Sequence, residues 1–372
     1  MAKKKYHQPK KIKMHGLTEK FLVGGLILIC VLLVSFSLYM ILRNVGKSSL
    51  RRHASQVAST ELSQKLNEIP IDEVSEVEVE TVLELEEGQI LHNGEIYQYN
   101  EDLMTFLCMG VDSASGVTDE KVPGKGGQAD AILLMIANPH TKQLQVINVN
   151  RDSMVDIELY DTDGGYAGTE TKQITLQYAY GDGRIRSCEL MEAAVSKLFY
   201  GIPIHGYAAL DMESIATLND AVGGVEVTVL EDMTKYKSGW SEGASITLNG
   251  KDALFYIRER EDESNELGSN IKRIERQKQY LSLFADQLKN RTKEDITFPL
   301  ALYGKVQKHI VTSLSVDEMA YLASTLLGYD FSLQNIMTLQ GEMAMGEKNE
   351  EFYVDEDSLK TLIIETFYER VE

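Results

Sequence analysis

Residues 21–42, FLVGGLILICVLLVSFSLYMIL, form one unbroken apolar run without a charged side chain. As a helix, these twenty-two residues reach ~33 Å, about the hydrocarbon thickness of a bilayer. Lys20 and Arg43 bracket the run, and seven lysines lie between residue 1 and residue 20. This pattern predicts a cytoplasmic tail over 1–20, a single transmembrane helix over 21–42 and the bulk of the chain outside. The run is too long for the apolar core of a cleaved signal, and no small-x-small site closes it cleanly. Residues 43–96 then read as a stalk and acidic linker. Within them, 68–87 hold nine acids and no base, the composition of a solvated spacer.

From Tyr97 onward the apolar positions come in short alternating blocks. TFLCMGVD, residues 105–112, predicts a buried strand. AILLMIAN and LQVINVN predict two more, joined by a turn at Asn138-Pro139 with the chemistry of a hairpin. The apolar spacing at 190, 194, 195, 198 and 199 predicts a helix. HGYAALD follows as a strand, and MESIATLNDAV as a helix closed by Gly223-Gly224. VEVTVLED and ALFYIRER predict strands, and a helix is expected from about Lys272 to Lys289. The remainder, 295–372, reads as helix-rich and part of the same unit. Alternating strands and helices predict an α/β fold, with helices on both faces of a mixed sheet. One domain over 97–372 is expected.

The net charge of −20 is unevenly spread. Residues 1–52 carry eleven Lys or Arg against one Glu, and the other 320 residues carry a net of −30. The basic end marks topology rather than nucleic-acid binding; a twenty-residue tail is too short for a helix-turn-helix domain. Three cysteines, Cys30, Cys108 and Cys188, are too few and scattered for a disulfide framework. Cys108 and Cys188 read as buried small hydrophobes.

The candidate chemistry lies in arginines. Read as a strand, LFYIRER puts Arg258 and Arg260 on one side. In the helix that follows, Arg273, Arg276 and Gln277 share a face. Arg151 ends the strand LQVINVN, and strand ends are where α/β folds hold ligands. Converging guanidinium groups call for an anion, and the planar fork suits phosphate oxygens. Asp112 and Asp130 sit at strand boundaries. Beside a diphosphate, such acids hold Mg²⁺, which takes one or two carboxylates together with substrate phosphates. The loop VPGKGGQ is not a Walker loop.

The ordered set FLCMGVD, QADAILLMIAN, INVNRDSMVDI, QITLQYAYGDG, YAALDMESIATLNDAVGGVEVTV, LNGKDALFYIRER and KRIERQKQYL resembles the LytR–CpsA–Psr family of membrane-anchored proteins of the bacterial surface. VTSLSVDEMAYLA and FYVDEDSLKTLI resemble its C-terminal part. The resemblance implies an α/β/α sandwich around a mixed central sheet, with a polyprenyl chain held in an apolar tunnel. The implied activity is phosphotransfer. A glycan phosphate, of teichoic acid or capsule, moves from a polyprenyl-diphosphate carrier to peptidoglycan outside the membrane of a Gram-positive bacterium.

By the same resemblance, Arg151, Arg258, Arg260, Arg273, Arg276 and Gln277 bind the diphosphate. Asp112 and Asp130 are the Mg²⁺-associated acids, and Asp130 is the candidate proton acceptor. The chain departs from the family at three places. GVDSAS lacks an arginine soon after the first Asp, Gln128-Ala129 stand where RS is usual, and Asn270 replaces an acid. These departures keep two other readings open: a non-catalytic protein that binds polyprenyl-linked glycan or scaffolds wall enzymes, and a hydrolase of the same carrier.

Overall fold

The computed structural model describes residues 45–50, 59–68, 85–112, 122–259, 269–347 and 349–371. The apolar run 21–42, most of the acidic spacer and Arg260 lie outside the described residues.

In chain order the elements are α1 (Ser59–Glu68), β1 (Gln89–His92), β2 (Glu95–Tyr99), β3 (Met104–Asp112), β4 (Gln128–Asn138), β5 (Gln143–Val149), β6 (Met154–Tyr160) and β7 (Tyr166–Gln173). A 3₁₀ segment (Ile174–Tyr180) leads to α2 (Ile185–Leu198), β8 (Gly206–Asp211), α3 (Met212–Val222), β9 (Val225–Thr228), β10 (Ser245–Leu248), α4 (Gly250–Arg258) and α5 (Ser269–Glu294). Then come α6 (Phe298–Val306), β11 (Ile310–Thr312), α7 (Val316–Leu326), β12 (Ile336–Thr338), β13 (Gly341–Met345), β14 (Glu350–Val354), α8 (Glu356–Phe367) and β15 (Tyr368–Arg370).

The central sheet has six strands in the order β11-β8-β3-β4-β5-β12. It is mixed: β3 runs antiparallel to β4 and parallel to β8, and β12 joins β5 in parallel. Both edge strands come from the region expected to be helix-rich, so the C-terminal third completes the sheet. The pleat sends alternate side chains to opposite faces. Leu107, Met109, Ile132, Leu134 and Ile147 point to one face and are at most 1% exposed. They share a core with Leu62 and Leu66 of α1, Met191 and Val195 of α2, and Ile363 and Phe367 of α8. The folded unit therefore starts upstream of the expected boundary at Tyr97, because α1 and Ile90 of β1 belong to this core.

On the other face, Met104, Phe106 and Ala137 pack against Tyr321 and Leu322 of α7. Further along, the same face is open. Cys108 is opposite Leu133 and Ala208, and Gly110 is opposite Ala131 and Leu210; all six are only half-buried. α3 lies against β3 and β8 on the sheet. Its ends match the sequence: Asp211 accepts a hydrogen bond from the Ser214 amide, and Gly223 adopts φ 98° at the C-terminus, a conformation that favours glycine.

A second cluster joins the β9–β10 hairpin to α4 and α5, with Val225, Val227, Trp240, Tyr256 and Tyr280 buried. Here the structure corrects the sequence reading. LFYIR is the helix α4, not a strand. Asn249 caps it by accepting from the Asp252 amide, and Ala253 and Tyr256 are buried one turn apart, the spacing of one helix face. Arg258 is the last helical residue and Glu259 is extended, so a two-residue strand spacing no longer relates Arg258 to Arg260.

On α2, burial, reinforced by Glu189, pushes the Glu192 carboxyl up to about 7 from 4.5. Folding thus favours its protonated form. That contribution is fully present below pH 4.5 and is lost as pH rises through about 7. Glu192→Gln is expected to raise the melting temperature by roughly 2–4 °C at pH 8 and to match the parent at pH 4.5. A shift of equal size at both pH values would contradict this origin.

Candidate functional site

The site forms where β3 ends and β4 begins. Gly110 pairs with Ala131 and Val111 with Ala129, so Asp130 sits in a register shift with no residue opposite it. Such bulges re-aim a side chain at a strand end. The loop before β4 is tied down: the Gly124 and Gly126 amides both donate to the Ala179 carbonyl oxygen. Gly127 has φ +85° and leaves only 3.3 Å between a would-be Cβ and the Asp112 carbonyl oxygen. The amides of Gly124 and Gly126 therefore close the loop and do not cradle a phosphate.

Arg151, just past β5, reaches across to Asp130, its Nη1 pairing with Oδ1. Its Nη2 approaches Gln128 Oε1 at 3.4 Å and its Nε approaches Asp152 Oδ1 at 3.4 Å. Asp152 is 7% exposed and also accepts from Gln173 Nε2 at 2.9 Å; that amide in turn donates to the Glu350 carbonyl oxygen. The acid next to Arg151 in sequence thus anchors its guanidinium. Sequence reasoning missed this role, although the Arg-Asp pair of NRD was the available signal.

Arg258, at the end of α4, places Nη2 3.6 Å from Asp112 Oδ2, both side chains about half exposed. Burial raises the Asp130 carboxyl above its ordinary value; Arg151 opposes this, Asp112 adds to it, and Arg273 and Arg258 oppose it. Ion pairs join Arg151 to Asp130 and Arg258 to Asp112, and Arg273 adds positive charge felt by the Asp130 carboxyl. These residues come from β3, β4, the end of β5, α4 and α5.

Arg276 and Gln277 do something else. Arg276 is 1% exposed. Its Nη1 donates to the Tyr256 carbonyl oxygen at 2.6 Å and its Nη2 to that of Glu259. Its Nε lies 3.1 Å from Glu231 Oε1, and the guanidinium stacks over the Tyr256 ring. Gln277 donates to the Ile257 carbonyl oxygen at 3.1 Å. Both side chains serve the C-terminal carbonyls of α4, the groups a helix leaves unpaired. In this structure they fix the helix that carries Arg258.

The two described cysteines are free. Burial pushes the Cys108 thiol up to about 11 and the Cys188 thiol to about 12, so neither supplies a thiolate nucleophile near neutral pH.

Residues 57–366 match the sequence model of the LytR_cpsA_psr family. The polyisoprenyl-teichoic acid–peptidoglycan teichoic acid transferase TagU of Oceanobacillus iheyensis is 26% identical over 338 residues, covering 89% of this chain and 88% of its own. TagU of Bacillus subtilis is 29% identical over 230 residues, 61% of this chain and 65% of its own. The crystal structure of Bacillus subtilis TagV superposes with a TM-score of 0.53 at 23% identity, over 71% of this chain and 96% of that one; at this identity the likeness shows the fold. With the family pattern spanning both the central sheet and every described residue of the arginine cluster, the chain belongs to the LytR_cpsA_psr family.

Proposed function

We propose that this protein is a membrane-anchored phosphotransferase, with an α/β/α sandwich held outside the cell by one N-terminal span. It moves a glycan phosphate from a polyprenyl-diphosphate carrier to peptidoglycan. The observation that carries this reading is the pairing of Arg151 with Asp130 and of Arg258 with Asp112 at the ends of β3 and β4, with Arg273 adding positive charge felt by Asp130. Three guanidinium groups and two carboxylates suit the charge of a diphosphate. The relatives named as teichoic acid transferases support the cargo class. The half-buried row of small and apolar residues on the sheet, Cys108, Gly110, Ala131, Leu133, Ala208 and Leu210, offers a dry surface to an isoprenoid tail. The opposite face of the same strands is fully buried.

In this reading, Arg151, Arg258 and Arg273 hold the non-bridging oxygens. The bond between the glycan-bearing phosphorus and the bridging oxygen breaks as a peptidoglycan hydroxyl oxygen bonds to that phosphorus. Polyprenyl phosphate leaves with the bridging oxygen, and charge stabilisation by fixed arginines carries most of the rate. Asp112 and Asp130 fit Mg²⁺. They are hard oxygen donors at adjacent strand ends and would hold the ion. Bound there, Mg²⁺ would supply neutralisation of phosphate charge. Asp130 would also take the hydroxyl proton.

The test is product analysis. The full-length protein in detergent or vesicles is given a polyprenyl-diphosphate glycan, peptidoglycan oligomers and Mg²⁺, beside Arg258→Ala. A glycan-phosphate adduct on the oligomer by mass spectrometry, reduced ~10²-fold or more in the variant, is expected. Free glycan phosphate without adduct would make the protein a hydrolase, and tight binding without turnover would make it a carrier-binding protein.

A further inference from the structure

We infer that the domain stands on the bilayer with the N-terminal end of α7 downward, so that the arginine cluster is held at the far end of the central sheet. This rests on the transmembrane reading of 21–42.

The chain leaving that run is clamped to the domain at once. The run ends at Leu42, and residues 45–50 are already helical. Gly46 presses on the first turn of α7 so closely that a Cβ there would sit 2.5 Å from the Asp317 carbonyl oxygen. Four residues later Leu50 is 1% exposed, packed with Met104, Phe106, Tyr321 and Leu322. A bilayer surface at Arg43 therefore lies within a few residues of α7, without an intervening free stalk.

The first turn of α7 marks one end of the sheet. Ser313 Oγ accepts from the Tyr207 amide at 2.9 Å, and Leu314 lies against Gly206, the first residue of β8. β8 is parallel to β3, with Phe106 beside Gly206 and Val111 beside Asp211. Met104 thus lies at the bilayer end and Asp112 at the other, eight residues away, about 26 Å along an extended strand. At the seam with the bilayer, Val45 and Val316 are 47% and 60% exposed, and Lys47 is exposed. Apolar side chains beside a lysine suit an anionic headgroup layer. Among the described residues these are the ones nearest the end of the apolar run. The half-buried row on β3, β4 and β8 begins where α7 stops covering the sheet and leads toward Asp112. With the sheet standing this way, the diphosphate at Asp112 is held off the bilayer by most of the length of β3.

The full-length chain is reconstituted in phosphatidylcholine–phosphatidylglycerol vesicles containing a headgroup-nitroxide lipid. A fluorophore is attached at Val316→Cys or at Ile185→Cys; Ile185 is 55% exposed at the start of α2, beside the loop Gly124–Gly127 through Gly183. Quenching at position 316 at least threefold stronger than at 185 is expected. Equal quenching, or stronger quenching at 185, in a chain that floats with the vesicles overturns the orientation alone. A chain that does not float overturns the anchoring reading and the orientation with it.

Discussion

Arg151→Ala is expected to lower kcat/KM for glycan-phosphate transfer by about 10³-fold, with a melting temperature within a few degrees of the parent. The size of the effect follows from how the guanidinium is held. Asp130 grips one edge and Asp152 the other, and Asp152 is itself fixed by Gln173. The donor is therefore oriented before substrate arrives and needs no reorganisation as phosphate charge develops. Arg258 is more exposed and has one carboxylate partner among the described residues, so its removal costs less. The small thermal change follows from Asp130. Its pKa is already raised by burial, with Arg151 as the main opposing charge. Without Arg151 the carboxyl takes up a proton at a higher pH and escapes being an unpaired buried charge. Arg151→Lys keeps the charge but loses the fork, and a loss of about 10²-fold is expected, intermediate between the two. Steady-state transfer assays on the three proteins, beside thermal melts, check this. Turnover of Arg151→Ala within fivefold of the parent would remove Arg151 from the reaction.

The hairpin β4–β5 and the helix α3 were legible because their signals are local. An Asn-Pro turn separates two apolar runs in one case, and Asp211 and Gly223 bound a periodic segment in the other. α4 was not. Its apolar run, Ala253–Ile257, is too short for periodicity to separate helix from strand, and the deciding signal, the Asn249 cap, stands before the run. The same limit divides the RIERQ residues. Spacing correctly puts Arg273, Arg276 and Gln277 near one another on α5, but what each meets is set by the partners packed there. Arg273 lends its charge toward Asp130, whereas Arg276 finds Glu231 and the carbonyls of α4. Glu231 lies 45 residues upstream of Arg276 in a loop, where nothing in the sequence pairs them. Asp112, Asp130 and Arg151 were legible because strand ends gather functional side chains whatever the packing.

Arg276→Met is expected to destabilise the protein by about 3–5 kcal/mol, because it strands Glu231 in the interior. Glu231 is 7% exposed and would keep, among the described residues, Lys272, whose own side chain is half exposed. The carbonyls of Tyr256 and Glu259 also lose their donor. A loss of that size lowers the melting temperature by roughly 6–15 °C. Removing the carboxylate as well should recover much of it, since a buried pair replaced on both sides is often tolerated; Glu231→Gln with Arg276→Met is therefore expected to melt several degrees above the single variant. The activity readout separates positioning from contact. With α4 loosened, Arg258 loses its fixed place, so transfer falls at temperatures where the variant is folded, chiefly in kcat. The double variant should recover stability more completely than rate. If instead Arg276 touched the diphosphate, Arg276→Lys would weaken donor binding while leaving the melting temperature unchanged, and the Glu231 substitution would have no effect on the loss. Melting curves and donor titrations on the four proteins decide between the two roles.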